Sequence, residues 1–105
     1  MNPTCIVIQT SVSNQEDAHH MAKDAVELRL AACVQILGPG LSFYRWHGDT
    51  EQASEYYLSF KTVVERRAKL MDWLIEQHPY DVPEIVCQAC ETSHEYVSWL
   101  YEETS

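Results

Sequence analysis

His78-Pro79-Tyr80-Asp81-Val82-Pro83-Glu84-Ile85 is the stretch on which the reading of this chain turns. Each proline removes a backbone N–H and holds φ near the polyproline value. Each also pushes the residue before it, His78 or Val82, toward extended geometry. The segment therefore cannot be helical, and it is stiff before anything packs on it. It carries an imidazole, a phenol and two carboxylates. Upstream, residues 65–77 read as a helix; downstream, Ile85-Val86-Cys87 reads as a strand. A rigid helix-to-strand connection rich in polar side chains is a natural place for a site.

Working outward, the rest of the chain falls into regular elements. Thr4 to Thr10 is rich in β-branched residues and reads as a strand, its apolar run implying a central, doubly covered position. Ser11 to Ser13 is expected to break it. Ser13 with Glu16 fits a capping box, opening a helix that carries Ala18, Met21, Ala22 and Ala25 on one face and runs to about Leu30. Ala32 to Leu37 is a second strand. Gly38-Pro39-Gly40 reads as a bulge or bend, and Leu41 to Trp46 continues in extended form. After a turn at His47-Gly48-Asp49, Glu55 to Thr62 forms a third strand, so a long antiparallel hairpin is expected. Thr62 with Glu65 suggests the cap of the second helix, marked by Val64, Ala68, Met71, Leu74 and Ile75. Glu84 to Ala89 or Cys90 is the last strand. Thr92 with Glu95 opens a terminal helix from His94 to about Glu103.

The order β, α, β, β, α, β with a helical tail is the ferredoxin-like pattern: an α+β fold with an antiparallel sheet and both main helices on one face. All 105 residues read as one domain, 1–105. Such a fold leaves the other sheet face bare, showing Tyr57 or Phe60 depending on register. An aromatic sheet face exceeds what a monomer ordinarily exposes, so oligomerisation through the sheet is predicted.

Sixteen acidic against seven basic residues give a net charge of −9. That balance repels phosphate backbones and anionic membrane surfaces, so neither nucleic acid nor direct membrane binding is expected. It favours cations. No run approaches the ~20 apolar residues of a membrane span. Met1-Asn2-Pro3-Thr4 lacks the basic region and apolar run of a secretory signal, so the expected location is cytoplasmic.

His78, Tyr80, Asp81 and Glu84 bring nitrogen and oxygen ligand types into one stiff segment, a set suited to divalent metal ions such as copper. Neighbours on a stiff backbone seldom converge alone, so a second segment or subunit must help. The competing roles are structural: His78 capping the second helix, and Glu84 pairing with Lys61 or an arginine. Cys87-Gln88-Ala89-Cys90 has the spacing of a zinc or redox pair. In a strand, however, residues three apart face opposite ways, and no second cysteine pair completes a zinc site. Adjacent His19 and His20 point in different directions on their helix. There is no Gly-rich phosphate loop, His-Glu-x-x-His or nucleophile elbow, and an enzyme is not expected.

Five blocks resemble the CutA divalent-cation-tolerance family. They are Leu30-Ala31-Ala32-Cys33-Val34; Tyr44-Arg45-Trp46-His47-Gly48; Ser54-Glu55 through Leu58, Lys61 and Thr62; the His78–Ile85 stretch; and the pair Tyr96 and Trp99. The resemblance implies a ferredoxin-like homotrimer similar to PII signalling proteins, with long hairpins joining subunits and a role in metal tolerance. Cys33 is the cysteine that matches the family, and as a soft thiolate it suits Cu(I). The expected metal ligands are thus Cys33, His78, Asp81 and Glu84. Trp46, Lys61 and Tyr80 are expected along a cleft between subunits. The alternative is an interaction module that docks on a protein partner, with metal incidental.

Overall fold

The computed structural model describes residues 3–105; Met1 and Asn2, from the segment read for a secretory signal, lie outside them. Strand β1 (Thr4–Val12) is followed by α1 (Gln15–Glu27), β2 (Cys33–Trp46) and β3 (Asp49–Thr62). A single 3-10 turn (Val64–Arg66), α2 (Arg67–Gln77), β4 (Val86–Glu91) and α3 (His94–Thr104) complete it. The sheet is antiparallel in the order β2-β3-β1-β4, so β1 is internal as its apolar run requires. This is the expected ferredoxin-like α+β arrangement.

Alternation along the strands splits the sheet into two faces. Ile6 and Ile8 of β1, Leu58 and Phe60 of β3, and Val34 and Ile36 of β2 meet Ala18, Met21 and Ala25 of α1 and Leu70 and Leu74 of α2. Phe60 is wholly buried there, opposite Ile8 and Val34. The other face is more polar than the sequence suggests. Gln9, Gln35, Ser59 and Lys61 occupy its middle, where register sets them side by side. Its β1 end is covered by α3, whose Tyr96, Val97 and Leu100 pack with Cys5 and Val63. The exposed apolar side chains lie instead on the β2 arm: Leu37 is 71% exposed, Leu41 59% and Phe43 66%.

Several boundaries differ from the sequence reading, each for a local reason. β1 runs through Ser11 and Val12, which pair with Tyr57 and Tyr56. That moves the cap of α1 from Ser13 to Asn14, whose Oδ1 accepts from the N–H groups of Glu16 (2.8 Å) and Asp17 (3.1 Å). The helix stops early because Arg29 turns left-handed, with φ 59°. Thr62 does not cap α2: its hydroxyl donates to the Leu30 carbonyl at 2.7 Å, and the 3-10 turn leads into the helix instead. Ser93, not Thr92, caps α3, accepting from the Tyr96 N–H at 3.1 Å.

The hairpin is longer than expected, with 14 residues in each arm. It draws the molecule out to 45 × 28 × 22 Å. His47 and Gly48 both have positive φ (50° and 86°), the two-residue turn whose twist matches the strands it joins. The Gly38-Pro39-Gly40 segment is the predicted bulge: Leu37 faces Tyr57 and Gly40 faces Glu55, so β2 advances three residues while β3 advances two. Gly38 sits at φ 138°, and a Cβ there would lie 2.8 Å from the Glu55 carbonyl oxygen. Only glycine fits.

Candidate functional site

The proline-bracketed loop closes a ring of hydrogen bonds against β1 and β3. His78 ends α2, its N–H donating to the Leu74 carbonyl at 2.9 Å, while its own backbone turns extended ahead of Pro79. The residue is 8% exposed. Its Nδ1 accepts the Tyr80 N–H at 3.2 Å, which assigns the proton to Nε2. Nε2 lies 2.9 Å from both the Ser11 carbonyl and the Thr10 hydroxyl. The Tyr80 ring packs edge-on against His78, centroids 4.8 Å apart. The Tyr80 hydroxyl then donates to Glu55 Oε2 at 2.7 Å, and the Ser11 hydroxyl donates to the same oxygen at 3.1 Å. The circuit from Ser11 through His78, Tyr80 and Glu55 back to Ser11 ties β1, β3 and the loop together.

Beside this ring opens a cleft of about 660 Å³ between the loop and the hairpin. Tyr44 and Trp46 of β2 form one wall, Tyr80 and Val82 the other, and the carboxylates of Glu55, Asp81 and Glu84 border it. Trp46 is braced edge-on by His47, at 4.9 Å.

Electrostatics in the ring favour neutral His78 and ionised Glu55. Burial lowers His78 from its usual 6.5, outweighing the Ser11 carbonyl and the nearby Glu55 and Asp17 carboxylates that would raise it. Burial pushes Glu55 up, but hydrogen bonds from Ser42, Tyr80 and Ser11, with His78 close by, bring it below its usual 4.5. Burial and the Glu55 carboxylate push the Tyr80 phenol up to about 12, so it remains a donor. Both depressed groups act in the same direction. Below about pH 6.5 the unfolded chain protonates its histidine while native His78 resists, and below about 4.5 the same holds for Glu55. Stability should therefore fall as pH drops through about 6.5 and fall again below about 4.5. Urea midpoints across that range check this, and the upper limb should flatten in His78→Gln.

The predicted site residues separate into two groups. Asp81, Glu84, Trp46 and Tyr80 come together at the cleft. His78 stands behind it, engaged with Thr10 and Ser11 rather than capping α2 with its ring. Cys33 starts β2 opposite Lys61, whose Nζ donates to Gln35 and Ser59 on the polar sheet face. Neither Cys33 nor Lys61 borders the cleft. Among the described residues, no three His, Cys, Asp or Glu side chains gather closely enough to hold a metal ion within one protomer. Glu55, the acceptor at the centre of the ring, is absent from the predicted set. Its only sequence signal is a carboxylate in an aromatic strand, 25 residues from its Tyr80 partner.

The profile of the CutA1 divalent ion tolerance protein family matches residues 6–103. The chain belongs to the CutA family. The divalent-cation tolerance protein CutA of Thermus thermophilus is 44% identical over 100 residues, covering 93% of this chain and 96% of that protein. A solved structure of CutA from Synechococcus elongatus superposes with a TM-score of 0.94 at 38% identity, covering 100% of this chain and 95% of that one. The structure of the periplasmic divalent cation tolerance protein CutA from Archaeoglobus fulgidus is 32% identical, with a TM-score of 0.90 and coverage of 96% and 99%. Membership in the CutA family supports a role in divalent-metal tolerance. Among the described residues of this chain, no helix is long and apolar enough to cross a membrane.

Proposed function

We propose that this CutA-family chain acts in divalent-cation tolerance as a homotrimer that binds divalent ions, copper among them, at the acidic edge of its cleft. The observation that carries this is the meeting of Asp81, Glu84 and Glu55 around one cavity, on a chain of family membership and strong negative charge. Carboxylates compensate the charge of a divalent ion, and for a given oxygen or nitrogen site copper binds tightest of the common divalent metals. Asp81 and Glu84 are the ligands this protomer supplies. His78 acts by holding Tyr80, and Cys33 stays outside the cleft of its own protomer. The exposed Leu37, Leu41 and Phe43 of the hairpin arm supply the apolar surface that copies of the chain cover in one another.

Calorimetric titration with Cu(II), paired with sedimentation, tests both parts. Saturable binding is expected on a species of three times 12.1 kDa. The Asp81→Asn/Glu84→Gln double variant, which removes both ligands, should bind at least ~100-fold more weakly, beyond the cost of losing a supporting residue. Equal affinity in that variant removes the cleft, and a stable 12.1 kDa species at working concentration removes the trimer.

The same exposed hairpin arm favours a second reading, an interaction module that docks on a protein partner with metal incidental. A partner retained in chelator, on a protein that fails to bind Cu(II), decides for it.

A further inference from the structure

Cys90 has a thiol partner, but it is not Cys87. Cys87 turns toward the helices and packs against the main core. Cys90 turns the other way and lies directly opposite Cys5 in the antiparallel ladder between β4 and β1. Cross-strand partners project their side chains to the same side of the sheet. Cys5 is 4% exposed beneath α3, whereas Cys90 is half-buried on the edge strand. Both are free thiols, and the Cys5 thiol donates to the Ile6 carbonyl 3.7 Å away.

We propose that Cys5 and Cys90 form a two-coordinate site for a soft monovalent ion, Cu(I), separate from the cleft. Directly opposed strand residues hold their Cβ atoms about 4.5–5.5 Å apart. A disulfide draws them to about 3.8 Å, whereas these two thiols are free and face each other, as a bridging ion requires. Thiolate pairs select Cu(I) or zinc by softness. Tetrahedral zinc needs four ligands, and among the described residues no third His, Cys, Asp or Glu joins this pair. Cu(I) is satisfied by two sulfurs in line. On binding, each thiol gives up its proton to solvent, two S–Cu bonds form, no electron is transferred, and the bis-thiolate carries one negative charge. Burial and the neighbouring Cys90 push the Cys5 thiol up, the Lys61 ammonium on the same sheet face acts against them, and the bound ion itself displaces the protons. Half-buried Cys90 provides the route of entry, and α3 closes the site over Cys5. The ion is therefore held by atoms that the acidic cleft does not use.

The test is an anaerobic competition of the full-length protein with bicinchoninate for Cu(I). One ion per chain is expected, with a two-sulfur shell by X-ray absorption and protection of Cys90 from alkylation. Cys90→Ser, at the more exposed position, should lower the affinity at least ~100-fold, beyond what a merely supporting residue costs. Cys33→Ser and Cys87→Ser should bind as the parent does. Circular dichroism confirms that each variant is folded, and Cys5→Ser is used where it passes. Undiminished Cu(I) binding by folded Cys90→Ser, or its loss in Cys33→Ser or Cys87→Ser, overturns the site. Because the cleft is read with Cu(II) and carboxylate variants, either proposal can fail without the other.

Discussion

Phe60→Ala should unfold at a denaturant concentration far below the parent, with a loss of about 3–5 kcal/mol. The ring is fully buried between the sheet and both main helices, with Ile8 and Val34 as its strand partners. Its removal takes away apolar transfer energy and leaves a cavity that the paired β-strands cannot close. A small domain holds about 5–15 kcal/mol in total, so this is a large share. Urea unfolding of Phe60→Ala beside Phe60→Leu separates the terms: leucine should recover more than half of the loss. A shift below about 1 kcal/mol in Phe60→Ala would mean that the ring is not at the centre of the core.

His78→Ala should cost about 2–3 kcal/mol and loosen the cleft at the same time. Without the imidazole, the Ser11 carbonyl and the Thr10 hydroxyl lose their partner at 2.9 Å in a buried site. The Tyr80 N–H loses its acceptor, so the phenol is held less firmly against Glu55. His78→Gln, whose amide can reach the Ser11 carbonyl as Nε2 does, should recover part of the stability. In the proposed cleft His78 is a positioning residue. Its loss should therefore weaken Cu(II) binding less than the Asp81→Asn/Glu84→Gln pair does. A His78→Ala protein of parental stability that loses all Cu(II) binding would make the imidazole a ligand instead.

The order and type of the elements could be read from the chain because helical periodicity, capping residues and prolines agreed. Positions where two neighbours compete could not. Ser13 and Asn14 both make good caps, as do Thr92 and Ser93, and the choice depends on where the preceding strand lets go. The capping box at Thr62 and Glu65 is overridden by a tertiary contact, the Thr62 hydroxyl serving the Leu30 carbonyl. β3 is apolar at both parities, with Tyr56, Leu58 and Phe60 on one and Tyr57 on the other. Only the pairing with β1 decides which set is buried. The same decision makes the uncovered face polar, because it carries Ser59 and Lys61 outward. Of the candidate site, the stiff loop and its side chains were visible in the sequence. Glu55 was not, since a carboxylate on a strand announces nothing until register brings Ser11 and Tyr80 to it.

The extra residue near Gly38 has an effect well beyond its own kink. Past it, Ser42, Tyr44 and Trp46 stand opposite Ala53, Glu51 and Asp49, on the side of the ribbon that also carries Glu55. Straighten the kink with every residue kept, and the outer half of the ribbon flips: Leu41 and Phe43 would take those positions and the tyrosine and tryptophan would face away. Bulge and extra residue thus cancel: a single-codon deletion at this point would remove both together and leave every facing pair of the outer ribbon as it is.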